Sequence, residues 1–189
     1  MTQKSVLVVV GSLRAASTNR QLAEAAVDLA PEGIDLAIYD KHGELPLYNE
    51  DIDVEGALPD AVVAFRSALD ASDAVLIVTP EHNGTVPANL KNAIDWASRP
   101  YGEAAIVGKP VAVIGTAFGQ YGGVWAQDEA RKALGIAGAT VIEPTLSVPN
   151  SVVRFAETHP KDDAEIVAQL EELIAAFAAS LENVDQQAA

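Results

Sequence analysis

The sequence contains no cysteine. That absence excludes structural disulfides, thiolate nucleophiles and cysteine-ligated zinc. Aromatic residues make up 5% of the chain against 49% hydrophobic residues in all, so the core must be built from Ala, Val, Leu and Ile. Basic residues are scarce: 12 Lys and Arg stand against 27 Asp and Glu, a formal net charge of −15. Such a surface repels nucleic-acid phosphates and anionic membranes, so neither is expected as a partner; it suits solubility, or docking to a basic redox partner. Long apolar runs are missing too. The longest uncharged run, 110–127, is interrupted by Pro110, Gly115, Gly119, Gly122 and Gly123, which is no pattern for a membrane span. The opening residues lead into a short strand without a signal-peptide pattern, and a cytoplasmic soluble protein is expected. Histidines stand only at 42, 82 and 159, in separate loops without ligand spacing, so no metal site is expected.

What is present is a regular alternation of short β-rich runs with longer helical patterns. Strands are expected at 5–10, 34–39, 74–79, 111–116 and 140–148, the last interrupted by Pro144. Helices are expected at 19–30, 59–71, 87–98, 123–137 and 161–181, the last showing Ile166, Leu170, Leu173, Ile174, Phe177 and Leu181 at helical spacing. Strands separated by helices predict an α/β fold, a parallel sheet with right-handed crossovers and strand order 2-1-3-4-5. The length of 189 residues favours one domain over 1–182, with a frayed tail at 183–189.

In open α/β sheets ligands bind beyond the carboxyl ends of the strands, which directs attention to three loops. The first follows strand one. It offers Ser12, Ser17 and Thr18 hydroxyls, the Asn19 amide and the Arg14 guanidinium at a strand-to-helix turn. Unpaired backbone N–H groups and the positive helix end bind anions there, and arginine pairs with phosphate through two N–H groups at once. No lysine follows Gly11 before Lys41, so this is not a P-loop, and Leu13 and Ser17 stand where a dinucleotide fingerprint requires glycine. A single terminal phosphate monoester fits best. The competing reading is an ordinary turn capped by Ser17, with Arg14 in solvent.

The second loop runs from Thr79 through Pro80, Glu81, His82, Asn83 and Gly84 to Pro87. Two prolines and a glycine fix its course, so its backbone groups could read the imide edge of a planar heterocycle. The alternative is a rigid connection with His82 in water. The third, Thr116, Ala117, Phe118, Gly119 and on to Gly123, is rich enough in glycine to approach a ligand closely, and Phe118 or Tyr121 could wall a flat ring. No nucleophile elbow and no acid–base constellation accompanies these loops. Binding loops without catalytic side chains point to chemistry carried by a cofactor.

Four stretches in order resemble the NAD(P)H-dependent FMN reductase family of flavodoxin-like proteins, which includes quinone, azo-dye and chromate reductases. They are Gly11-Ser12-Leu13-Arg14 with Ser17 and Asn19; Leu45-Pro46-Leu47-Tyr48-Asn49 with Asp51; Pro80 to Pro87 followed by Leu90-Lys91-Asn92-Ala93-Ile94-Asp95-Trp96; and Gly122-Gly123 with Ala126-Gln127. The resemblance implies a flavodoxin-like three-layer sandwich. It implies that the first loop holds the FMN phosphate through Ser12, Arg14, Ser17, Thr18 and Asn19. It places Pro80, Glu81, His82, Asn83 and Gly84 along the isoalloxazine, with Thr116, Ala117, Phe118 and Gly119 on another side. NADPH or NADH would reduce the flavin at N5 and leave before a quinone or similar small acceptor takes the electrons, in a homodimer or homotetramer. The chain departs from the family's usual tyrosine at His82, and from its usual Ser-Pro-Gly in the third loop. A flavodoxin-type electron carrier, reduced by a protein partner, stays open as the alternative.

Overall fold

Unbroken β-rich runs such as Val-Leu-Val-Val-Val and Ala-Val-Leu-Ile-Val can be covered on both faces only in the middle of a sheet. In the computed structural model, which describes residues 3–188 and their side chains through Glu182, these runs are the strands β1 (Lys4–Val10) and β3 (Ala74–Val78). With β2 (Ile34–Ile38), β4 (Pro110–Thr116) and β5 (Thr140–Val148) they form a five-stranded parallel sheet of order β2-β1-β3-β4-β5, the order expected from the alternation of elements. Alternate residues of β1 serve two separate cores. Val6, Val8 and Val10 pack with Leu22 of α1 (Thr18–Asp28) and with Ile166, Leu170 and Phe177 of the last helix. Leu7 and Val9 pack with Phe65 of α2 (Asp60–Asp70), Leu90 and Trp96 of α3 (Ala88–Ala97) and Leu134 of α4 (Val124–Ile136). Helices therefore cover both faces.

Pro144 does not interrupt β5. Between the pairs Val111↔Val141 and Val113↔Thr145 the edge strand carries two extra residues, so the proline falls in a bulge where no ladder donor is required. The Arg131 guanidinium donates to the Ile142 carbonyl at 2.7 Å, satisfying a group the bulge releases.

The carboxyl-terminal region differs from expectation in its details. A one-turn helix α5 (Ser151–Arg154) and a 3-10 turn (Pro160–Asp162) precede α6, which spans Ala164–Ala188 rather than starting at 161. Asp163 is the reason for the start: its Oδ1 accepts from the backbone N–H of Glu165 at 3.2 Å and of Ile166 at 3.3 Å, a helix cap. Side chains at 183–189, where fraying was expected, lie outside the described residues. Among the described residues no helix is long and apolar enough to cross a membrane.

Candidate functional site

The switch point of this sheet lies between β1 and β3, and the loops leaving β1, β3 and β4 meet there. Gly11 continues the ladder, its N–H donating to the Val78 carbonyl at 2.8 Å. The chain then runs through Ser12 to Ala16 and enters α1. Ser17 is buried and caps that helix, its Oγ accepting from the Arg20 N–H at 3.2 Å. Thr18 Oγ1 lies 2.9 Å from Thr116 Oγ1 and 3.4 Å from Ser151 Oγ. Asn19 is committed elsewhere: its Nδ2 donates to the Thr116 carbonyl at 3.0 Å, and its Oδ1 accepts from the Thr116 N–H at 2.8 Å. The Asn19 amide thus splices α1 to the end of β4. Arg14 is exposed, and among the described residues its guanidinium has no hydrogen-bond or ion-pair partner. Two acids of the adjoining cavity are occupied otherwise, since Arg20 holds both Glu24 and Asp40; the 3-10 turn His42–Glu44 follows.

The second loop is a two-residue hairpin. The His82 and Thr85 backbones bond reciprocally at 3.0 and 3.1 Å, and Asn83 and Gly84 between them both adopt positive φ, 54° and 76°, the conformation that Asn-Gly pairs favour. Glu81 reaches sideways: its Oε2 accepts from the N–H of Trp125 at 3.2 Å and of Ala126 at 3.4 Å. It caps α4 from a distant loop, because Gly123 at the helix entrance has no side chain to do so. Thr85 returns the contact by donating to Glu129 of the same helix. The close approach of β3 and β4 beneath these loops requires glycine, as a Cβ on Gly115 would stand 2.0 Å from the Thr79 carbonyl oxygen.

Together the loops enclose a cleft of about 560 Å³, within the range of small-molecule sites. Of the residues expected from sequence, Ser12, Arg14, Ser17, Thr18, Asn19, Pro80, Glu81, His82, Thr116, Ala117 and Phe118 line it. Asn83, Gly84 and Gly119 do not: the first two form the exposed hairpin tip, and the Gly119 carbonyl turns to the N–H groups of Gly122 and Asn150. Sequence reasoning missed Asn89, Ser151 and Val152, which also line the cleft. The last two follow β5, and the rule about strand carboxyl ends would have found them had it been applied to the fifth strand as well. No comparable signal marks Asn89.

A sequence profile of the NADPH-dependent FMN reductases matches residues 5–152, across all three loops. The chain belongs to this family. A quinone reductase of Pseudomonas putida is 43% identical to this chain over 173 residues, 92% of this chain and 90% of the relative. A 2-hydroxy-1,4-benzoquinone reductase of Burkholderia sp is 47% identical over 126 residues, 67% of each. Among solved structures, the flavoenzyme NAD(P)H:(acceptor) oxidoreductase FerB from Paracoccus denitrificans aligns with a TM-score of 0.85 at 35% identity, covering 95% of this chain and 98% of that one. The protein is an oxidoreductase of flavodoxin-like fold that uses FMN and NAD(P)H, and the choice left open between enzyme and electron carrier falls to the enzyme.

The residues present suit that cofactor. A dianionic phosphate requires N–H donors and a cation free of internal carboxylates, and the entrance of α1 with Arg14 offers both. A polyhydroxylated chain and a ring need a cleft with polar and apolar walls, and Thr116, Asn89, Ala117 and Phe118 supply these within one space.

Proposed function

We propose that this FMN reductase passes electrons from NAD(P)H to quinones or similar small acceptors. In this reading Ser12, Arg14, Ser17 and Thr18, with the backbone N–H groups entering α1, receive the FMN phosphate. The 80–82 backbone and residues 116–118 flank the ring, and the hairpin tip at Asn83 and Gly84 and the turn at Gly119 shape those walls from behind. The observation that carries it is the Arg14 guanidinium, without a partner among the described residues, at the mouth of a cleft on a helix entrance, in a molecule whose net charge is −15. The names of the relatives at 43% and 47% identity favour the quinone class. Bound FMN would supply reversible two-electron chemistry between donor and acceptor, and the protein's part is to hold it and leave it open to both substrates.

The reading extends to one domain over 1–182, cytoplasmic, in a homodimer or homotetramer. Exposed apolar side chains beside the cleft support an assembly: Phe118 is 75% exposed, and Tyr121 and Trp125 form a tilted ring pair with centroids 5.1 Å apart while remaining half in solvent. The test is spectroscopic. FMN-loaded protein without oxygen should lose its flavin absorbance on adding NADPH or NADH and regain it with a quinone; persistence of the colour with both donors would refute the activity. Arg14→Ala should weaken FMN by about 1.5–3 kcal/mol while sparing riboflavin, which has no phosphate. Equal loss for both flavins, or none, would remove Arg14 from the phosphate seat.

A further inference from the structure

Asn89 stands in the first turn of α3 and lines the cleft between the phosphate loop and the ring loop. Its Nδ2 is 3.1 Å from the Gly11 carbonyl oxygen and 3.2 Å from His42 Nε2. A carbonyl oxygen can only accept, so the atom facing Gly11 must be the amide nitrogen, and the orientation of the amide follows from chemistry. The second hydrogen on that nitrogen points to His42 Nε2, which must then be the unprotonated ring nitrogen. The ring proton sits on Nδ1, 3.3 Å from the Tyr39 carbonyl, which accepts it. The four groups form one polarity-consistent chain from the end of β2 to the end of β1. His42 is only 4% exposed, and burial holds its pKa below the usual imidazole value, against the Tyr39 and Val10 carbonyls and the Asp40 charge, which favour the protonated ring.

The turn carrying His42 also touches the phosphate loop directly. A Cβ on Gly43 would come within 2.8 Å of Leu13 Cδ2, so the glycine makes room for that side chain. With both hydrogens of Nδ2 engaged, Oδ1 is the one polar atom of the Asn89 side chain without a partner among the described residues.

We propose that His42 and Gly11 lock the Asn89 amide so that Oδ1 faces the cleft as an acceptor, making Asn89 a further cofactor-binding residue. The proposal rests on the FMN reading above. Asn89 lies between the loop assigned to the phosphate and the loop assigned to the ring, so the part of FMN that passes it is the polyhydroxy chain, and the donor it takes is a hydroxyl. His42 is a positioning residue: it touches no ligand and acts only through Asn89. Without its acceptor, the amide is held by Gly11 alone and loses its fixed aim.

The test is a fluorescence titration of the full-length protein with FMN, riboflavin and lumiflavin, which has the ring but no hydroxyl chain. Asn89→Ala should weaken FMN and riboflavin by about three- to tenfold, the range of one net hydrogen bond, and leave lumiflavin unchanged. His42→Leu should weaken FMN similarly in the wild-type background and have no further effect in Asn89→Ala. His42→Gln, which keeps an acceptor, should restore most of the affinity. Circular dichroism melts establish that each variant is folded. Unchanged FMN affinity in Asn89→Ala overturns the proposal alone, and a loss shared by lumiflavin overturns the hydroxyl assignment. A His42→Leu effect that persists in Asn89→Ala overturns the positioning role. Failure of the wild type to bind FMN at all overturns the underlying functional reading and this inference with it.

Discussion

A side chain's chemistry can be read from sequence, but its commitments cannot. Asn19 has the type and place of a phosphate ligand, yet both ends of its amide hold the Thr116 backbone, 97 residues away. Glu81 sits in the ring loop and serves as a cap for α4. Both assignments depend on which strands lie side by side, and that information is long-range. Arg14 is the opposite case: among the described residues its guanidinium has no internal partner, which leaves it for the proposed phosphate. His42 carried no signal at all, being one histidine in a polar segment, until folding buried it against Tyr39 and Asn89. Its titration gives a prediction with a definite sign. The folded state keeps His42 neutral and the unfolded chain does not, so the unfolded state binds more protons as pH falls. Stability that is complete above the ordinary imidazole pKa should decline as pH drops below about 6.5. The charged side chains that line the same cavity are Arg14, Arg20, Glu24 and Asp40. Urea denaturation midpoints between about pH 7.5 and 5.5 should fall for the wild type and fall less for His42→Gln; parallel lines would remove His42 as the source.

Among the elements, long periodic segments were legible and short ones were not. The strands at 5–10 and 74–79 match β1 and β3 to within a residue, because continuous apolar runs admit few other packings, and 140–148 matches β5 despite Pro144. The one-turn α5 was missed because Ser-Val-Val-Arg has no helical period to detect; it exists through its tertiary grip on α6. Arg154 clasps Asp163 with two bonds, 2.6 and 2.9 Å, and adds Glu165 at 2.8 Å. The guanidinium holds the Asp163 carboxyl below the usual carboxylate range, while Asp163 caps the following helix. Asp163→Ala should therefore cost about 1–2 kcal/mol of stability at neutral pH, the scale of a lost helix cap. The wild-type advantage is complete above the unfolded carboxylate pKa, about 4, and is lost as pH falls through the lower folded value. Thermal melts of the two proteins should converge in acid. A gap that survives there would assign the loss to packing instead of charge.

At the scale of the molecule, the composition separates long-range from local electrostatics. A net charge of −15 repels a flavin phosphate and a nicotinamide nucleotide at a distance, while in the proposed site Arg14 and the α1 entrance would attract the phosphate at contact. Salt shortens the screening length from about 30 Å at 0.01 M to about 8 Å at 0.15 M, weakening the distant repulsion far more than the contact. FMN association, followed by stopped-flow fluorescence, should accelerate with ionic strength over this range; a slowing would show that the basic residues dominate the approach. The two tryptophans follow the same division between inside and mouth. Trp96 is fully buried in the α3 core, and Trp125 stands 51% exposed where Glu81 meets α4. The chain therefore carries two intrinsic optical probes. A water-soluble quencher such as acrylamide silences the outer indole and leaves the inner one glowing, so unfolding of the core and events at the cleft rim can be followed separately in one cuvette.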